Sequence, residues 1–506
     1  MKAVRPWMVV LLVVASTALL RIHLIDTPLE RDEGEYAYAG QLMLQGIPPY
    51  KLACNMKLPG TYAAYALIMA AFGQTTVAIH AGLLLVNGGA IVLIYLLGKR
   101  LFGVRSGLAA CAAYALCSLG AGVLGTQAHA TQFVVLAALA GLWLLLRWEQ
   151  DGRRRGMLFA SGVLFGVAFV LKQPGILFGV FAAAYLAATR CWRRLPEFLA
   201  GAALPFALTC LILWWVGVFD RFWFWTFTYA SHYGTENSLA AGAAALADTF
   251  VPILQRGFAL WALAAAGLWM ALRERRFFVP ALLLFSFLAI CPGLYFRPHY
   301  VVLMLPAVAL LAGVCVRGRW PAIVFACALA LSLFLQRDVL FRMGPSEVSR
   351  ELYGLEPFPE AVPVAAYIRA HTGPRDLIAV LGSEPEIYFY AHRHSATSYL
   401  YTEPLVEDQP FALRMQDDMI AELERNRPSY VVRFPIAETL RLGAGSAPRV
   451  FDWWKTYSPG RYRLVGIADI MEDGSSEYRW DAAAKSYQPR SLFHLAVYRR
   501  NAVGNP

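Results

Sequence analysis

The stretch MLFASGVLFGVAFVLKQPGILFGVFAAAYLAATR, residues 157–190, carries one charged side chain, Lys172, before its closing Arg190. A bilayer core about 30 Å thick is crossed by roughly 17–25 apolar residues as helix, the form that satisfies every backbone hydrogen bond without water. Pro174 and Gly175 break such a helix. The stretch therefore reads as two membrane spans, 157–171 and 174–190, joined by a tight external turn at Lys172-Gln173-Pro174-Gly175. Outward from it, apolar blocks of similar length recur at 7–22, 76–98, 107–124, 131–147, 196–218, 250–272, 278–294, 300–316 and 320–336. That makes about eleven spans.

Composition agrees. Of 506 residues 58% are hydrophobic and 16% charged, too apolar for an ordinary soluble domain. A formal charge of +11 would suit nucleic acid if it formed one patch. Instead the basic residues sit at the N-terminus (Lys2, Arg5) and in alternate short loops: Lys99, Arg100, Arg105; Arg147, Arg153, Arg154, Arg155; Arg190, Arg193, Arg194; Arg273, Arg275, Arg276; Arg317, Arg319. This is the positive-inside pattern. It predicts a multi-pass membrane protein with a cytoplasmic N-terminus, an extracytoplasmic C-terminal region and no nucleic-acid partner. A signal peptide is the other reading of the first apolar stretch; an uncleaved anchor is preferred because an acidic motif follows so closely. Eight cysteines are present, none beyond Cys327, and only Cys54 falls in a predicted external loop, so no disulfide framework is expected.

Two units follow: a membrane domain over residues 1–340 and an extracytoplasmic α/β domain over 341–506. The first external loop, 23–75, reads as two interfacial helices, 34–46 and 61–73, too short to span. A second external loop, 219–249, is aromatic (Phe219, Phe222, Trp223, Phe224, Trp225, Phe227, Tyr229, Tyr233), which suits anchoring at a membrane interface. In the C-terminal region Asp376–Gly382, Ser429–Phe434, Tyr462–Ile470 and Leu492–Tyr498 read as strands. Helices are expected near 360–372, 384–393 and 409–426.

The residues suited to chemistry collect outside. Arg31-Asp32-Glu33-Gly34-Glu35-Tyr36 places three carboxylates within four positions shortly after the first span. A solvated loop can carry such a cluster for no reason. Its functional reading depends on a cation, and Lys57, in Met56-Lys57-Leu58-Pro59-Gly60, offers one. Lys172, Arg297 and His299, the last two in Tyr295-Phe296-Arg297-Pro298-His299-Tyr300, also face outward, against the positive-inside bias. Each alone reads as an interfacial anchor. Together they suit a lipid phosphate beside a base.

The Asp-Glu pair after the first span, the Lys57-x-Pro59 sequence before a short helix, the Lys172-Gln173-Pro174 turn and the Arg297-Pro298-His299-Tyr300 run before Pro306 resemble the bacterial family-39-type glycosyltransferases. These are relatives of the protein O-mannosyltransferases, the aminoarabinose transferase and the Rgt-type lipopolysaccharide glycosyltransferases. The resemblance covers about residues 1–340, and Gly382-Ser383-Glu384-Pro385-Glu386-Ile387-Tyr388 is similar too. It implies a GT-C membrane fold, a polyprenyl-phosphate sugar donor, and a glycan, lipid or protein acceptor on the periplasmic side. It also implies Asp32 as base or acceptor-positioning carboxylate with Glu33 beside it, Lys57 on the donor phosphate, and Arg297 or His299 against the leaving phosphate. Lys172, Tyr300 and Glu35 are further substrate contacts. Where many relatives carry Lys-Pro-Pro, this sequence has Lys-Leu-Pro. No cofactor or obligatory metal is expected; the external carboxylates are where a divalent cation would bind, although the histidine spacing forms no metal signature.

Three rivals stand beside this reading. A transporter or flippase would place its charges near mid-membrane and often show inverted repeats, neither of which is seen. A lipid-linked glycan ligase or polymerase would work at the same surface with a pyrophosphate donor. A scaffold would only present the external domain.

Overall fold

The computed structural model describes residues 5–150, 154, 156–233, 237–435 and 447–502. Lys2, Arg153 and Arg155 of the basic pattern, and the Tyr233 side chain, lie outside the described residues. Each predicted span holds a helix. Five are long and apolar enough to cross a bilayer unaided: Pro6–His23, Thr76–Phe102, Ala130–Gln150, Trp192–Trp215 and Leu239–Arg273. Val104–Cys117, Met157–Leu171, Gln173–Ala188, Phe278–Leu288, Leu305–Val314 and Arg319–Leu335 are shorter. Many of these helices turn large apolar side chains outward, among them Leu11, Leu12, Leu211 and Trp215. Such a surface is stable where lipid covers it.

The predicted loop 219–249 is more helical than expected. Leu239–Arg273 starts ahead of the predicted 250, capped by Ser238, whose side chain accepts from the Ala241 amide. Ahead of it, Phe219–Trp223 runs into a single wide turn over Phe224–Tyr229. Phe222, Trp225 and Tyr229 are buried there, while Trp223 is half exposed. Phe224 meets Phe411 at 5.2 Å and Trp225 meets Tyr399 at 6.0 Å between ring centroids. Part of the aromatic run thus holds the C-terminal region rather than the membrane interface.

The acidic helix runs Arg31–Leu44, three residues earlier than predicted. Glu30 caps it: its side chain accepts from the Glu33 amide at 2.8 Å, and the Glu33 side chain accepts from the Glu30 amide at 3.4 Å. This reciprocal cap, with Asp32 and Glu33 in the first turn where the helix dipole favours anions, draws the acidic cluster into regular structure. Asp32 is therefore a helical residue, not part of a solvated loop. Gly60–Phe72 forms the second short helix.

A small C-terminal sheet domain follows. Its strands are β1 (Leu377–Leu381), β2 (His394–Ser395), β3 (Tyr430–Arg433), β4 (Tyr462–Ile470), β5 (Ser476–Trp480) and β6 (His494–Arg500), in the spatial order β2-β1-β3-β6-β4-β5. β1 pairs in parallel with β2 and β3; the remaining neighbours are antiparallel. β2 and β5 were not legible in the sequence, the first being two residues long and the second half-buried throughout.

Candidate active site

The acidic helix is enclosed on nearly all sides, with Gly34 through Leu42 buried. The sheet domain packs on its first turns. Arg31 donates from Nε to the Ser383 carbonyl at 2.9 Å and from a terminal nitrogen to Glu356 at 2.9 Å. At Gly34 the approach is closer still: a Cβ there would lie 2.6 Å from both the Cβ and the backbone nitrogen of Glu386. Only glycine fits.

On the opposite side the first external loop is tied to the Lys172 turn. Gln173 Nε2 donates to the Met56 carbonyl at 2.7 Å, and Thr61 Oγ1 to the Leu171 carbonyl at 2.7 Å. These bonds bring Lys57 and Lys172, far apart in sequence, to one site.

Lys57 lies between two carboxylates. Its Nζ donates to Asp32 Oδ1 at 2.6 Å and to Glu35 Oε2 at 2.7 Å, and stands 4.7 Å from the centre of the Tyr36 ring. Glu35, fully buried, also accepts from Asn55 at 2.7 Å, from Tyr401 at 2.6 Å and from Tyr62. A carboxylate taken out of water persists only with such partners. Asp32 and Lys57 keep 23% and 19% of their side-chain surface exposed, so a substrate can reach them. Burial pushes the Asp32 carboxyl up, but the Lys57 charge more than offsets it and holds it below the usual carboxylate range. Burial likewise opposes the Lys57 charge, and Asp32 with Glu35 restores it.

Beyond Asp32 lies a second group. His299 Nε2 is 3.9 Å from Asp32 Oδ2 and 3.4 Å from Lys172 Nζ, and the Lys172 ammonium stands 4.5 Å above the Tyr300 ring. Lys172 forms no ion pair with a carboxylate among the described residues, and burial pushes its ammonium down to about 8 against the attraction of Asp32. His129, not among the expected site residues, stacks on His299 at 4.1 Å with the rings 12° apart. Burial pushes His129 down to about 4, and His299 well below its usual range. Both are neutral imidazoles near pH 7.

The expected site residues thus divide. Asp32, Lys57, Lys172, His299 and Tyr300 come together; Arg297 is exposed, its guanidinium 5.6 Å from the centre of the Tyr295 ring. Three expected site residues lie in settings the sequence does not announce. Glu33, expected beside Asp32, is fully buried and turned inward, its carboxylate accepting from the Ala128 amide at 2.6 Å and lying 3.0 Å from His80 Nε2. His299, held well below its usual range by burial, faces Asp32 and Lys172 as a neutral imidazole. Glu35, expected as a substrate contact, is fully buried and accepts from Lys57, Asn55, Tyr62 and Tyr401.

Asp32, His129 and His299 offer donor atoms all within 4.8 Å of one another. Two neutral imidazoles and a carboxylate are a donor set a divalent cation takes, and neither nitrogen of buried His129 makes a hydrogen bond among the described residues. The Lys172 ammonium beside His299 competes for that place. Either cation would bring positive charge to the same point.

Comparison with known proteins follows this geometry. The family described as dolichyl-phosphate-mannose-protein mannosyltransferase matches residues 57–215. The undecaprenyl phosphate-alpha-4-amino-4-deoxy-L-arabinose arabinosyl transferase of Pseudomonas aeruginosa strain UCBPP-PA14 is 31% identical over 213 residues. Its counterpart in Pseudomonas paraeruginosa gives the same figures. The match spans 38% of this chain and 38% of each relative. Among solved structures, ArnT from Cupriavidus metallidurans bound to undecaprenyl phosphate superposes with a TM-score of 0.63 at 16% identity, covering 100% of both chains. The mycobacterial arabinofuranosyltransferase AftD gives 0.52 at 16% identity, covering 99% of this chain and 40% of that one.

The fold is that of the GT-C membrane glycosyltransferases. Within that class, the resemblance to the family-39-type enzymes read from the motifs is borne out.

Proposed function

We propose that this chain is an inner-membrane glycosyltransferase that moves a sugar from a polyprenyl-phosphate donor to an acceptor on the periplasmic face: a lipopolysaccharide, another glycolipid or a protein. The observation that carries the reading is the Asp32–Lys57–Glu35 clamp beside Lys172 and His299. It sets a carboxylate and two ammonium groups together next to membrane helices, where a lipid-borne phosphate arrives. The names of the partial relatives and the ArnT structure with undecaprenyl phosphate support the donor class.

In this reading Asp32 takes the proton of the acceptor hydroxyl, or orients it, as the bond from sugar to phosphate breaks, while Lys172, with Arg297 and with His299 as hydrogen-bonding partner, meets the departing phosphate. Lys57 does two things. In the free protein it holds Asp32 ionised and therefore weakly basic. A donor phosphate draws Lys57 toward itself and restores basicity to Asp32 when the sugar is in place. Glu35 keeps Lys57 from leaving altogether.

The test is transfer by the purified full chain in detergent, where no compartment exists. It is given undecaprenyl phosphate-4-amino-4-deoxy-L-arabinose and lipopolysaccharide from cells lacking the protein, and release of undecaprenyl phosphate is followed. Release that requires acceptor and vanishes in Asp32→Asn supports the reading. Normal release in both Asp32→Asn and Lys57→Ala overturns the site.

A further inference from the structure

The sheet domain sends a side chain into the clamp. Tyr401 donates its hydroxyl to Glu35 Oε2 at 2.6 Å, the same oxygen that holds Lys57, and approaches the Arg31 carbonyl at 3.2 Å. Its ring centre lies 5.8 Å from Lys57 Nζ. One carboxylate oxygen therefore divides its charge among Asn55, Lys57 and Tyr401.

The segment carrying Tyr401 is set in register with the loop carrying Lys57. The Cys54 amide donates to the Ser398 carbonyl at 2.9 Å, and Cys54 and Tyr399 form a parallel bridge. From the other side Glu422, on the helix Ala412–Asn426, accepts from Thr397 Oγ1 at 2.8 Å and from the Ser398 amide at 2.7 Å. Thr402 closes the segment, its amide and hydroxyl both donating to the Gly382 carbonyl at 2.8 Å. A buried hydroxyl held at both ends of its backbone is a fixed donor, and bonds to charged groups are strong and directional.

We propose that Tyr401 is a positioning residue of the membrane site: by loading Glu35 it sets where the Lys57 ammonium stands, so the sheet domain is a working part of the site. Without the hydroxyl, Glu35 carries more unshared negative charge and holds Lys57 more tightly, away from an incoming phosphate. This rests on the donor-phosphate reading of Lys57.

The test is steady-state transfer by the full chain in detergent, with undecaprenyl phosphate-4-amino-4-deoxy-L-arabinose as donor. Tyr401→Phe keeps the ring and is expected to raise the donor KM about tenfold, the scale of one hydrogen bond to a charged group, with kcat within about twofold. A merely structural lesion lowers the active fraction and hence kcat, leaving KM alone. In a Glu35→Gln background Tyr401→Phe is expected to change the donor KM no further. Tyr399→Phe, which removes a neighbouring hydroxyl bonded to Asp418, is expected to behave as the unaltered protein.

An unchanged donor KM in folded Tyr401→Phe overturns the proposal, as does an undiminished effect in the Glu35→Gln background. If Tyr401→Phe does not fold, Glu422→Gln, which loosens the same segment from its far side, takes its place. There a raised donor KM supports the proposal and unaltered kinetics overturn it. A wild-type chain that releases no undecaprenyl phosphate, or an unaffected Asp32→Asn, removes the functional reading itself. A failure confined to Tyr401 leaves that reading standing.

Discussion

The Lys57 clamp and the outer helices of the sheet domain both face basic side chains with carboxylates, in very different amounts of water. On the sheet domain Arg449 meets Asp417 at 2.8 Å and Lys455 meets Asp452 at 3.0 Å, with every side chain about half exposed or more. At the clamp Lys57 meets Asp32 and Glu35 at similar distances, but Glu35 has no exposed surface. Distance alone does not rank these pairs. Water screens and solvates the outer ones, so breaking them costs little. The buried pair has been stripped of solvent, so removing one partner strands the other. A protein accepts that cost where it needs a charge held in one place.

Substitutions across the two regions can break this comparison or sharpen it. The largest expected effect is on chemistry: Asp32→Asn should lower turnover by about 10³-fold while the protein inserts normally, as general-base contributions of 10²–10⁴ imply. Lys57→Ala should lose donor use and also destabilise the chain by about 3 kcal/mol, read as a lowered unfolding midpoint in detergent, because Glu35 is left buried without its cation. A chain as stable as the original would show that Glu35 is less isolated than its burial implies.

A smaller effect follows from Lys172. A cation whose folded-state value is lowered to about 8 stays charged below that pH and loses its charge above it. Donor affinity should therefore weaken as pH rises through about 8, and Lys172→Arg should carry that decline to higher pH. A flat profile would take Lys172 out of donor binding. Arg449→Ala, in the exposed pair, should move stability by no more than about 0.5 kcal/mol. The smallest effect is expected from a chelator, because two lysines already supply positive charge at the phosphate. Activity lost to EDTA and restored by zinc would move Asp32, His129 and His299 to the centre of the reaction.

Much of this was legible in the sequence, for identifiable reasons. Apolar blocks of membrane length located the helices, and Lys57, Lys172 and His299 stood out because they defy the positive-inside bias. The start of the acidic helix was missed because Glu30 caps it with Glu33, and one residue cannot be read as both cap and catalyst. Glu35 was placed among substrate contacts since nothing local distinguishes its burial from the partial exposure of Asp32. His129 was set aside because its partners, Asp32 and His299, come from two other parts of the chain. Tyr401 left no trace, being 366 residues from the carboxylate it bonds.

The glycine at position 34, pressed against Glu386 with no space for a methyl group, also bears on how the molecule is made. Residues 31–57 leave the ribosome early, yet their working arrangement needs a surface synthesised hundreds of residues later. Until that surface arrives, Arg31 lacks the Ser383 carbonyl and Glu35 lacks the Tyr401 hydroxyl, so a nascent or truncated chain carries the acidic helix without its final setting. Completion of the polypeptide is therefore itself a step in maturation of the site.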